Sequence, residues 1–174
     1  RHDGRLQVIH GDALKHSLES LCPAPRAVVA NLPYNVGTQI VIHYLRAIEA
    51  HGAGVVDSIT VMLQKEVADR MCAAPNTSEY GRLSVLCQWL CNVSACFDVP
   101  PSAFSPPPKV MSSVVRLVPQ ATPMFPTPLK ELERFLAAAF GQRRKMLRAA
   151  LKGYCSTPET WLESADIDPT RRAD

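Results

Sequence analysis

The sequence has no run of the roughly 18 or more consecutive apolar residues that a membrane-spanning helix needs, so no such span is expected. Its opening residues, Arg1-His2-Asp3-Gly4-Arg5, hold no apolar segment of the kind a signal peptide carries, and the expected compartment is the cytoplasm. The six cysteines (Cys22, Cys72, Cys87, Cys91, Cys96, Cys155) include no C-x-x-C pair, and no metal is expected. Cys87 and Cys91 lie one helical turn apart in an apolar stretch and read as core packing, with all six as free thiols in a reducing compartment. Without a secretory signal, Asn76-Thr77-Ser78 and Asn92-Val93-Ser94 have no meaning as glycosylation acceptors. Strong net charge is also missing: a formal +3 is too weak to argue for a nucleic-acid partner, so the distribution of charge has to decide.

What is present suits a medium domain, or one domain with a small appendage: 174 residues, 47% of them hydrophobic, are enough to bury a core. The most informative cluster is Asn31-Leu32-Pro33-Tyr34, directly after the apolar run Ala27-Val28-Val29-Ala30. It stands where a buried strand would end, and the carboxyl edge of an open α/β sheet is where ligands bind. Asn31 offers a side-chain carbonyl oxygen, Pro33 restrains Leu32 to extended geometry, and Tyr34 offers a stacking face. Together they suit work on the exocyclic amine of a flat base. The bland alternative is a strand ending in an ordinary proline turn.

Along the chain, Leu6 to His10 reads as a short strand ending at Gly11-Asp12-Ala13-Leu14, and Arg26 to Ala30 as the next. Ile40, Val41, Tyr44, Leu45 and Ile48 recur at helical spacing. Ser58 to Leu63 then reads as a strand, Lys65 to Met71 as a helix, and Leu83 to Leu90 as another. The strands Ala95 to Val99 and Ser113 to Leu117 have no helix between them, which predicts an antiparallel pair joined by a proline-rich loop. Four prolines crowd Pro119 to Pro128, giving an expected division into a domain over 1–119 and a C-terminal helical part over 120–174. No internal repeat is present.

Phe104 sits among prolines that restrict the loop and would hold the ring as a stacking platform at low entropic cost; a plug beneath the loop is the alternative. Base–aromatic stacking is worth about 1–3 kcal/mol per base, comparable with what extracting a nucleotide from its stack costs. Lys109 suits a phosphate, or is a solvated lysine at a strand edge. Gln142-Arg143-Arg144-Lys145, with Arg148 and Lys152, gathers five cations on what reads as one helix. This is either a solvated face or a surface that tracks phosphates.

Gly11-Asp12-Ala13-Leu14, Asn31-Leu32-Pro33-Tyr34-Asn35, the stretch from Val99 to Val115 and Phe140-Gly141-Gln142-Arg143-Arg144-Lys145 resemble, in that order, the motifs of the rRNA adenine N6,N6-dimethyltransferase family. The resemblance covers nearly the whole chain. The Gln-Arg-Arg-Lys segment and the closing Asp168 to Asp174 are most similar to the bacterial branch acting on the small subunit. It implies an α/β fold, part of a Rossmann-like class I methyltransferase sheet with a small C-terminal helical domain. It also implies transfer of methyl groups from S-adenosylmethionine to N6 of two adjacent adenines in the 3′-terminal hairpin loop of small-subunit (16S) rRNA, on an immature 30S particle, by a monomer.

By this resemblance, Asp12 accepts a hydrogen bond from the cofactor's adenine amine. Asn31 lies between cofactor and target, and its oxygen and the Leu32 or Pro33 carbonyl accept from the target amine. Tyr34 and Phe104 sandwich the flipped base, and Lys109, Arg143, Arg144 and Lys145 meet the RNA backbone. An N-cap or turn role is the alternative for Asp12. The family's glycine-rich turn after its first strand and the acidic residue after its second have no counterpart here. About two strand–helix units are therefore expected to be absent, roughly 60 residues at ~30 per unit, and the helical appendage to stop early. Poor binding of S-adenosylmethionine is expected, and a partnerless strand at Leu6 to His10. Competing readings are a DNA or protein N6/amide methyltransferase, a large-subunit rRNA adenine dimethyltransferase and a non-catalytic RNA-binding assembly factor. Leu32 and the Phe104 loop argue against the first, the Gln142 to Lys145 segment against the second, and retention of Asp12 and Asn31 against the third.

Overall fold

The computed structural model describes residues 5–173. Its helices are α1 (Leu18–Leu21), α2 (Gly37–His51), α3 (Lys65–Cys72), α4 (Arg82–Leu90), α5 (Leu129–Gly141), α6 (Leu147–Ala150) and α7 (Pro158–Ser164); its strands are β1 (Ala27–Asn31), β2 (Ser58–Gln64), β3 (Cys91–Val99) and β4 (Ser112–Pro119). The sheet runs β1-β2-β4-β3. β1 and β2 are parallel, joined through α2, whereas β4 lies antiparallel to both β2 and β3. A crossover helix between parallel strands and a direct hairpin between antiparallel ones is what connection length dictates. The result is the expected α/β architecture.

Strict alternation along β2 puts Ile59, Val61 and Leu63 on the face that α2 and α4 cover, and register brings Val115 and Leu117 of β4 to the same face. The opposite face carries Val29, Thr60, Met62, Val114, Val118 and Phe97 and has no helix over it among the described residues. The segment from Pro119 to Pro128 is stapled to α4: Gln120 N–H donates to Leu90 O (2.9 Å), Met124 N–H to Trp89 O (3.0 Å) and Trp89 Nε1–H to Phe125 O (2.8 Å). α5 then contributes Leu129, Leu132 and Leu136 to the main core, while Ala139, Leu151 and Leu162 build a second, smaller one.

Two local expectations are corrected. Leu6 to His10 forms no strand: no sheet neighbour among the described residues accepts its backbone hydrogen bonds, and Leu6, Val8 and Ile9 are left exposed. Arg1 to Gly4 and Asp174 lie outside the described residues. Gln142 to Lys145 is a run of turns between α5 and α6, where Lys145 N–H closes onto Gln142 O (2.7 Å). α4 passes into β3 at Cys91 with no loop between, and Cys87 and Cys91 are both fully buried free thiols, as core packing requires.

Candidate active site

The site lies at the carboxyl ends of β1 and β2. Asn31 is the last residue of β1, paired with Met62, and Leu32 N–H extends the ladder by donating to Met62 O (3.2 Å). The exposed Asn31 carboxamide makes no hydrogen bond with the described residues. Beyond it the chain turns sharply: Pro33 O accepts the N–H groups of Val36 (3.2 Å) and Gly37 (2.8 Å), satisfying donors at the start of α2 that would otherwise be orphaned. Close packing fixes this turn. A Cβ built on Gly37 would approach Leu63 Cδ2 to 2.6 Å, and Leu32 is buried beside it.

Tyr34 follows with 40% of its surface exposed, and its hydroxyl shares a hydrogen bond with the Ser112 hydroxyl at 2.8 Å. Ser112 is fully buried, the first residue of β4 and the end of the proline-rich loop that starts after Val99, its register partner on β3. Phe104 lies in that loop half-buried, after a short 3₁₀ turn over Pro101–Ala103, with its N–H donating to Pro101 O (3.1 Å). Lys65 pins the loop's far end, donating its backbone N–H to Met111 O (2.9 Å) while its ammonium meets Asp69 and Asp98, each at 3.1 Å. Those hydrogen bonds hold the Lys65 pKa above its ordinary value, and the Lys65 contact holds Asp98 below its own. No sequence signal separated Lys65, Ser112 and Asp98 from ordinary strand-end residues.

Asp12 occupies the turn before α1, where Oδ1 accepts Leu14 N–H (3.0 Å) and caps a 3₁₀ turn over Ala13–Lys15. A cavity of about 360 Å³ adjoins it, lined by Gln7, Ile9, Gly11, His16 and Tyr44 among others. Lys109, Arg144 and Lys145 are exposed. Arg143 is not similarly placed: its guanidinium donates to Ser78 O (2.6 Å) and Thr77 O (2.8 Å), tying the α5–α6 turns to the loop before α4. Among the described residues no group of three His, Cys, Asp or Glu side chains is arranged for a metal, and no helix is long and apolar enough to cross a membrane.

A family model described as ribosomal RNA adenine dimethylase matches residues 1–174. The chain is 52% identical over 171 residues to ribosomal RNA small subunit methyltransferase A of Rhodospirillum rubrum, covering 98% of this chain and 57% of that protein. It is 49% identical over 170 residues to the protein of the same name from Gluconobacter oxydans, covering 98% and 54% respectively. The chain thus spans little more than half the length of these curated relatives. Among solved structures it superposes on a dimethyladenosine transferase from Plasmodium falciparum with a TM-score of 0.77 at 26% identity, covering 98% of this chain and 67% of that one. It also superposes on the 23S rRNA methyltransferase ErmE with a TM-score of 0.61 at 25% identity, covering 95% and 64%. A model match over every residue, with close relatives of one name and this fold, shows that the chain belongs to the ribosomal RNA adenine dimethylase family.

Proposed function

We propose that the chain carries the base-handling half of an S-adenosylmethionine-dependent enzyme that dimethylates N6 of two adjacent adenines in the 3′-terminal hairpin loop of small-subunit rRNA, on an immature 30S particle. The observation that carries this reading is the division of labour among the acceptors after β1. Pro33 O already takes two N–H groups from the start of α2, which leaves the Asn31 side-chain oxygen and the Leu32 carbonyl to receive the target amine. The lone pair on an adenine N6 is delocalised into the ring. Two acceptors that hold its hydrogens out of the ring plane localise it on nitrogen: the Leu32 carbonyl is placed by the backbone of the turn after β1, and the Asn31 carboxamide, without a partner among the described residues, is free to receive the amine. No strong base is needed.

Tyr34 and Phe104 supply the walls for the flipped ring, and Lys109, Arg144 and Lys145 the phosphate contacts, with Arg143 bracing the turns that present the last two. S-adenosylmethionine, when bound, supplies an electrophilic methyl group on its sulfonium. Asp12 and the adjoining cavity suit the adenine end of that molecule, since capping Leu14 occupies only part of a carboxylate's acceptor capacity. The described residues offer no glycine-rich turn after a strand for its methionine end. The bare face of the sheet beside β1 is where the relatives' additional length has room to pack.

The test joins this chain to the portion of the Rhodospirillum rubrum relative outside the matched residues and assays methyl transfer to immature 30S particles. Transfer to adenine N6 that falls at least about 10²-fold in Asn31→Ala, with RNA affinity kept, is the expected result. RNA binding without transfer would instead make the protein a non-catalytic assembly factor.

A further inference from the structure

Ser112 and Tyr34 are 78 residues apart in sequence, and their hydroxyls meet at 2.8 Å. The two ends of this contact differ in freedom. Ser112 has no exposed surface, pairs with Gln64 of β2 on one side and Val99 of β3 on the other, and follows Met111, whose carbonyl is held by Lys65 N–H. Its hydroxyl is a fixed point. Tyr34 stands in an exposed turn, where an untethered ring samples several rotamers.

We propose that Ser112 is a positioning residue: it anchors the Tyr34 hydroxyl so that the ring is set in advance as one wall of a slot for a flat purine. The inference rests on the reading of the site given under Proposed function. Ser112 also ends the loop that carries Phe104, so a single hydrogen bond links the roots of both walls. An aromatic platform already held in one rotamer loses less freedom when the base arrives. The tether acts through Tyr34 and touches neither the base nor the methyl group, so it bears on how fast the extruded base reaches a reactive pose and leaves the backbone contacts that hold the RNA unaltered.

The experiment is a double-mutant cycle of Ser112→Ala and Tyr34→Phe in the joined protein described above, read by single-turnover methyl transfer at saturating RNA and, separately, by RNA affinity. Each single change is expected to slow transfer about two- to tenfold, the ratio set by a hydrogen bond of ordinary net strength. RNA affinity is expected to stay within about twofold, and the double variant to be no slower than either single one. Ser112→Thr, which keeps the hydroxyl, is expected to recover most of the rate. Should Ser112→Ala fail to fold, Tyr34→Phe removes the same hydrogen bond at a half-exposed ring without leaving a buried cavity. An unchanged rate in Tyr34→Phe, or losses that add in the double variant, would overturn the proposal while leaving the function intact. Absence of transfer by the unmutated joined protein would overturn both.

Discussion

On the helix-covered face of the sheet, Ile59, Val61, Leu63, Val115 and Leu117 are at most 2% exposed, whereas on the opposite face Val29 is 81% exposed and Phe97 61%. In a half-buried antiparallel sheet the solvent side is polar, and a parallel pair such as β1–β2 is ordinarily covered on both sides. The bare face here is neither. It mixes the apolar Val29, Met62, Val114 and Val118 with the polar Thr60 and Arg116, and belongs partly to a parallel pair. The chain spans 57% of the length of its Rhodospirillum rubrum relative. The groups assigned to the target base stand at the carboxyl rim of the sheet, where Leu32 is buried and the Tyr34 hydroxyl is held by Ser112. The groups assigned to the methyl donor stand apart: Asp12 follows the exposed, strandless segment from Leu6 to His10.

The contrast is most easily broken at the core. Leu117→Ala is expected to cost about 2–5 kcal/mol in urea denaturation, since it leaves a cavity beneath the helices. Val29→Ala, on the bare face, is expected to stay within about 0.5 kcal/mol. Equal losses would mean that the bare face is packed in solution, for instance by a second copy. A finer contrast separates two adjacent arginines. Arg143→Ala forfeits the bonds to Thr77 and Ser78 and is expected to lower stability by about 1 kcal/mol. Arg144→Ala is expected to leave stability unchanged and to reduce the salt dependence of RNA affinity by about 0.9 per lost phosphate contact. Identical behaviour of the two variants would remove the bracing role of Arg143.

Smaller effects follow from burial and charge. Burial pushes the Cys91 thiol up to about 12 and raises Cys87 as well, so at pH 8 both are expected to resist iodoacetamide in the folded protein, while the exposed Cys22 and Cys96 react. Rapid labelling at Cys87 would show that the covered face opens. The Lys65–Asp98 tie sets the least of these signals. The carboxyl of Asp98 is held below its ordinary value, so its contribution is present above the ordinary aspartate range and fades as pH falls through the folded value. Asp98→Asn is therefore expected to flatten a shallow acid-side slope in melting temperature, and an unaltered slope would assign that slope to other carboxylates.

Much of the covered side was legible in the sequence. β2 declares itself by alternation, α2 by Ile40, Val41, Tyr44, Leu45 and Ile48 at helical spacing, and the β3–β4 hairpin by the lack of a helix between its strands. The place of the Asn31 cluster at the end of β1 was legible because its residues directly follow an apolar run. What escaped depends on partners distant in sequence. Leu6 to His10 has strand-forming residues, but a strand also needs a neighbour to receive its hydrogen bonds. Gln142 to Lys145 has helix-forming residues, yet the Arg143 guanidinium is held by carbonyls 65 and 66 positions away. The Tyr34–Ser112 contact spans 78 positions, and nothing local marks either hydroxyl as paired.

The central claim is that the proposed base-handling groups stand at the rim of this sheet, and that Asp12 with its adjoining cavity does not by itself hold the methyl donor. Calorimetric titration of S-adenosylmethionine into the chain alone, beside the chain joined to the unmatched portion of the Rhodospirillum rubrum relative, tests it most directly. Saturable binding by the joined protein, with no measurable heat from the chain alone, is the predicted result. Binding of equal affinity by both would contradict it, placing the donor site within these residues.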